Sequence, residues 1–169
     1  MLAQLFLLIA LPALLAAAAL WDLASFTIPN YLSLAIAAAF AAFALAMGFS
    51  PATIGLHLLA GLVALIIGFT MFARNYIGGG DAKLYAGIAL WLGPHDLVTY
   101  SLIATILGGV LTLTLLAMRR WPLPAGLARQ AWIIKLHDSR SGIPYGVALA
   151  AGFFVALPHA EILHLTALG

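Results

Sequence analysis

Two aspartates stand out in a chain with few charges: Asp22, which closes the first apolar run, and Asp81, which ends Gly78-Gly79-Gly80-Asp81 at the head of another. An ionised carboxylate at membrane depth costs roughly 2.5–3.5 kcal/mol on insertion scales, so an acid in that position marks a functional-site hypothesis. If the two meet, the chemistry is that of a carboxylate pair. Like charges held close together do not both ionise, so one carboxyl keeps its proton while the other acts as base toward a water between them. The protonated partner would then polarise a scissile carbonyl. Which acid plays which part stays open, because coupled groups titrate as a pair. A structural or transport role for the same two residues is the alternative.

The elements that must position these acids follow from composition. Hydrophobic residues make up 65% of the 169 and charged residues only 7%, and the mean hydropathy is +1.14. That leaves too little polar surface to coat a soluble domain. Six apolar segments are read, approximately at 2–21, 31–48, 53–73, 82–93, 97–118 and 143–163, separated by short breaks rich in Pro, Gly, Ser and Asn. The expected fold class is all-α: a polytopic membrane bundle of six transmembrane helices forming one domain over residues 1–169. Helix starts are expected at Thr27-Ile28-Pro29, at Ser50-Pro51 and in the Gly93-Pro94-His95-Asp96 turn. The N-terminal segment lacks the basic region of a signal peptide and is expected to be retained as a span.

Threading six spans puts Arg74, Lys83, Arg119, Arg120, Arg129, Lys135 and Arg140 on one side, together with Asp22 and Asp81. By the positive-inside rule that side is the cytoplasm. The net charge of +2 therefore has a topological origin, and nucleic acid is not an expected partner. The chain has no cysteine, which excludes a disulfide framework, a thiol nucleophile and a cysteine-bound zinc.

The fourth segment, 82–93, supplies only about 18 Å of helix against a hydrocarbon core of roughly 30 Å. Either the glycine run continues into the membrane as irregular backbone, or Asp81 lies beneath the surface. Both options put Asp81 in a wet pocket. Glycines at 78, 79 and 80 would also let a second extended backbone approach closely, as cleavage of a peptide requires.

Trp21-Asp22-Leu23 through Ile28-Pro29-Asn30, Gly78-Gly79-Gly80-Asp81-Ala82-Lys83-Leu84 and Gly142-Ile143-Pro144-Tyr145-Gly146-Val147-Ala148, in that order, resemble the type IV prepilin peptidase family of GxGD aspartyl proteases. The closest likeness is to its short branch associated with Tad/Flp-type pili. The resemblance implies a bacterial inner-membrane endopeptidase that removes the leader from prepilin-like protein substrates at the cytoplasmic face, without a metal or organic cofactor. It implies Asp22 and Asp81 as the catalytic pair. Gly78, Gly79, Gly80, Lys83, Pro29 and Asn30 are expected to shape the site or contact substrate. The chain departs from the pattern after Asp22, where Ala24, Ser25, Phe26 and Thr27 carry none of the basic charge frequent in this branch. It also lacks the cysteine-bearing cytoplasmic insertion of bifunctional members, so N-methyltransferase activity is not expected.

The other polar residues have plainer readings. Lys83 near a helix end reads as an amphipathic side chain reaching the headgroups, with substrate orientation as the alternative. The histidines at 57, 95, 159 and 164 fall near the outer face and His137 in a cytoplasmic loop, and no two have metalloprotease spacing. Asp96 reads as a helix cap after Gly93-Pro94, and residues 121–140 as an interfacial connector. A small proton- or cation-coupled transporter using both acids as a relay is the rival function, although such sites tend to lie at the bilayer midplane between internal repeats.

Overall fold

The computed structural model describes residues 6–163, so the start of the first expected span and His164 lie outside the described residues. A π-helical turn (Phe6–Ala10) leads into α1 (Leu11–Ser25), followed by α2 (Asn30–Ala46), α3 (Pro51–Ala73), α4 (Gly79–Met118), the short α5 (Ala131–His137) and α6 (Tyr145–Ala156). No strand occurs among the described residues. The protein is a membrane helical bundle. The first span, α3 and α4 are long and apolar enough to cross a bilayer, and α2 and the last apolar segment are shorter.

The starts follow from the breaks. Pro29 is the extended residue before α2, and Ser50 caps α3 by accepting the Thr53 N–H at 3.1 Å, with Pro51 in the first turn. The glycine run does not continue as irregular backbone: Gly79 and Gly80 are already helical, and Asp81 sits in the first turn of α4. The expected fourth and fifth segments are two limbs of this helix, 79–92 and 94–118, divided at Gly93 (φ 72°, ψ −177°). This region of backbone space is open to glycine and closed to other residues.

The break leaves a specific debt. Pro94 has no N–H, so the carbonyl of Leu90, four residues earlier, loses its helical donor. His57 on α3 fills that place, its Nδ1–H donating to the Leu90 oxygen at 2.8 Å. The imidazole is buried, stacks on Phe40 at 5.2 Å between centroids and packs near Phe49. It therefore belongs to the bundle interior, where sequence reading gave it only a place at the outer face. Trp91 fixes the same limb to α2 by donating from Nε1 to the Ile36 carbonyl at 3.0 Å.

Close helix contacts use missing side chains rather than large ones. A Cβ on Gly68 of α3 would lie 3.0 Å from Ala82 Cα, and one on Gly152 of α6 would lie 3.1 Å from Ala104 Cα. Small residues permit such approaches where lipid supplies no hydrophobic drive for association. α4 thus packs extensively on both α3 and α6, with α1 against α6 and α2 against α4.

Asp96 differs from expectation. It is buried and caps no turn of its own helix. Its Oδ2 accepts the Glu161 N–H at 2.8 Å, tying the start of the 94–118 limb to the segment after α6.

Two substitutions test the break. Gly93→Ala forces a side chain into the glycine-only region and sets its Cβ 3.0 Å from the His57 ring, which is expected to cost about 1–3 kcal/mol. His57→Leu leaves the part-buried Leu90 carbonyl without a donor, with an expected cost of about 1–3 kcal/mol. Thermal unfolding in detergent should show both variants destabilised; unchanged midpoints would refute this account of the break.

Candidate active site

Asp22 lies in the last turn of α1, where the helix dipole disfavours an anion. The conflict is resolved by another helix. α6 begins after Pro144, which has no side-chain acceptor to cap it. The buried Asp22 carboxylate supplies the acceptor, its Oδ2 taking the Gly146 N–H at 2.8 Å. Gly146 is the second residue of α6, so this amide is one of the helix's unpaired N-terminal donors.

Asp81 is held by the same physics at the start of α4. Its Oδ2 accepts the Gly78 N–H at 3.0 Å, the reach-back half of a capping box. Side chains of Asp22 and Asp81 are only 3% and 6% exposed, so each needs such a donor. The Asp81 Oδ1 is buried with no hydrogen-bond partner among the described residues. The two carboxylates lie within electrostatic reach of each other, and the Gly146 amide faces both. No lysine or arginine pairs with either among the described residues. Two helix N-termini therefore carry the charge.

Ile28 is the spacer. Its side chain is buried, and Cβ atoms on Gly80 and Gly146 would fall 2.9 Å from its Cβ and Cδ1 respectively. A Cβ on Gly146 would also sit 2.8 Å from Asp22 Oδ2, and one on Gly79 would sit 3.3 Å from the Phe72 ring. The space freed by Gly79 and Gly80 is thus taken by the protein's own Phe72 and Ile28, and does not stand open for a second backbone as the sequence suggested. Ile28, the residue before Pro29, makes the contact; Pro29 and Asn30 serve to start α2.

Lys83 does not join the acids. Its ammonium donates to Asn30 Oδ1 at 2.7 Å, and both line a separate cleft of about 480 Å³ between α2, α3 and α4. This pair links the break after α1 to the start of α4. Asp81 instead opens on a cavity of about 940 Å³ on the other side of α4.

Two of the cations that the sequence places on one side have defined tasks. Arg119 donates to the carbonyls of Leu136 (2.9 Å), Ser141 (3.2 Å) and Gly142 (2.9 Å), which fixes the approach to α6 and hence Gly146. Lys135 on α5 donates to the Ser25 carbonyl at 2.7 Å and lies 4.9 Å from the Phe26 ring centroid. It satisfies a carbonyl at the end of α1, three residues after Asp22. No cluster of three or more His, Cys, Asp or Glu with metal-binding geometry occurs among the described residues.

Comparison with known sequences decides the class. The type IV leader peptidase family matches residues 9–113, a stretch that contains both aspartates and the whole glycine run. The chain belongs to that family. It is therefore a membrane protease. The match ends before α6, so the Gly146 amide comes from outside the matched region. No curated protein and no solved structure matches the peptidase.

The packing around Gly146 carries a prediction for the peptidase. Gly146→Ala drives a methyl against Asp22 and Ile28, and a displacement of this kind is expected to cost on the order of 10²-fold in rate. Gly142→Ala, whose Cβ meets nothing within 4 Å, should stay near wild type. Equal activity of the two variants in a cleavage assay would remove Gly146 from the site.

Proposed function

We propose that the protein is an aspartic endopeptidase that removes the leader from prepilin-like precursors at the cytoplasmic face of the bacterial inner membrane. The observation that carries this reading is the convergence of Asp22 and Asp81, from separate helices, on one buried site around the Gly146 amide. The face is inferred from charge. Lys83, Arg119 and Lys135 all bond at the end of the bundle that holds the two acids, and that end is inside by the positive-inside rule.

In the proposed reaction a water lies between the carboxyls, one ionised and one protonated. The ionised carboxylate takes a proton from the water as its oxygen attacks the scissile carbonyl carbon. The protonated carboxyl gives its proton to the carbonyl oxygen, forming a neutral tetrahedral diol. In the collapse one diol hydroxyl returns its proton to the carboxyl that is now ionised as the C=O bond re-forms and the C–N bond breaks, and the carboxyl that is now protonated gives its proton to the leaving amine. Gly78, Gly79 and Gly80 shape the turn that presents Asp81, and the precursor is the partner.

Co-expression with a prepilin-like precursor, read by size shift and product N-terminus, tests the pair. Asp22→Asn and Asp81→Asn are each expected to lower cleavage by about 10²–10⁴-fold, the usual worth of a positioned acid or base. A variant that cleaves at the wild-type rate would remove its residue from the mechanism.

A further inference from the structure

The cavity beside Asp81 is a groove. One wall is α3, through Val63, Ile67 and Met71, and the floor is the 94–118 limb of α4, with α6 closing the far side through Tyr145 and Leu149. Along the floor, Val98 to Leu113 spans about 22 Å at the helical rise. A volume of about 940 Å³ over that length gives a cross-section near 40 Å², roughly half that of a helix 10 Å across. The groove therefore fits a helix lying side-on, half embedded.

The floor is made of small residues on one face: Ser101, Thr105, Gly109 and Thr112. The three hydroxyls turn back to the carbonyls of Leu97, Ser101 and Gly108 at 2.6–2.7 Å, leaving compact, self-satisfied surface. A Cβ on Gly109 would meet nothing within 4 Å, so the step it leaves is unfilled by this chain. Small residues at helical spacing are how membrane helices let a partner helix come close. An independent observation points the same way. Asp81, the one charged residue lining the groove, is more than nine-tenths buried and its Oδ1 has no partner among the described residues.

Resting on the protease reading above, we propose that this groove receives the uncharged transmembrane helix of the precursor, laid along Ser101, Thr105, Gly109 and Thr112 with its N-terminal end at Asp81. Hydrocarbon chains offer Asp81 no donor, whereas the first turn of a helix brings unpaired N–H groups. The absence of charge elsewhere in the lining selects against a charged segment. The same seating places the bond just before the helix at the acid pair, so the helix sets the register of cleavage.

The test uses two probes: a tagged precursor with a leader, the junction and an apolar helix of about 20 residues, and a peptide that stops just after the junction. Gly109→Leu fills the groove without meeting its own chain, and is expected to raise KM for the precursor about tenfold, the order of an overpacking cost, while cutting the short peptide at the wild-type rate. Equal cleavage of the precursor by wild type and Gly109→Leu, or equal loss on both probes, overturns the docking site. A crosslinking arm needs no turnover: in an Asp22→Asn chain, benzoylphenylalanine at Gly109 should capture the precursor, whereas at Ile106, an exposed residue outside the groove, it should not. Capture of lipid or of a second copy from position 109, without precursor, also overturns it. Wild type that cuts neither probe while position 109 still captures the precursor would defeat the protease reading and leave the docking site standing.

Discussion

Everything in this molecule that bears on chemistry depends on holding two carboxylates inside an apolar bundle without a cation. An unpaired acid in such surroundings is costly, and a lysine or arginine partner would bring its own desolvation penalty. The chain uses backbone amides instead. Gly78 supplies one at the start of α4, and Gly146 supplies another at the start of α6. These donors are free because the first turn of any helix lacks partners for them, and the aligned peptide dipoles there favour negative charge. Glycine also stands at the two positions, Gly80 and Gly146, where a Cβ would come within 3 Å of Ile28 or Asp22.

The second dependency is the break at Gly93. A straight α4 would run on as a single rod, and the 94–118 limb could not return beside α3 and α6 to form the floor of the groove. Breaking it frees the Leu90 carbonyl, and His57 meets that demand from α3. The end of the bundle at Gly93 is in this sense a brace for the end that holds the acids. Its aromatic cluster of Phe40, Phe43, His57 and Trp91 fixes where the two limbs diverge. At the end that holds the acids Arg119 and Lys135 do the corresponding work on the loops that flank Asp22 and Gly146.

The sequence made the acids legible because charge is so rare in it that position alone singles them out. Apolar segments were equally plain, and Ser50-Pro51 and Pro29 marked starts that the structure keeps. Other features had no signal of that kind. The Gly146 amide is a backbone group, and its only hint was a helix beginning after a proline unable to cap it. His57 read as one of several outer-face histidines because its partner is a carbonyl orphaned 33 residues later in the chain. Asp96 followed the local rule for a cap, yet its acceptor goes to Glu161 across the bundle. The glycine run was read for the space it opens toward a substrate, when Ile28 and Phe72 occupy that space. In each case a long-range contact decided what a local pattern left open.

The central claim is that α1 and α4 present their acids to one shared site. Because the chain has no native cysteine, an Asp22→Cys/Asp81→Cys double variant carries only the two thiols of interest. Treatment of membranes with a short bifunctional thiol-reactive crosslinker, a bis-methanethiosulfonate, followed by peptide mass spectrometry, should give a linked pair of peptides within one chain, with little linkage when Asp22→Cys is combined with Ile106→Cys. Separate single-ended adducts at positions 22 and 81, with no linked peptides, would contradict the shared site.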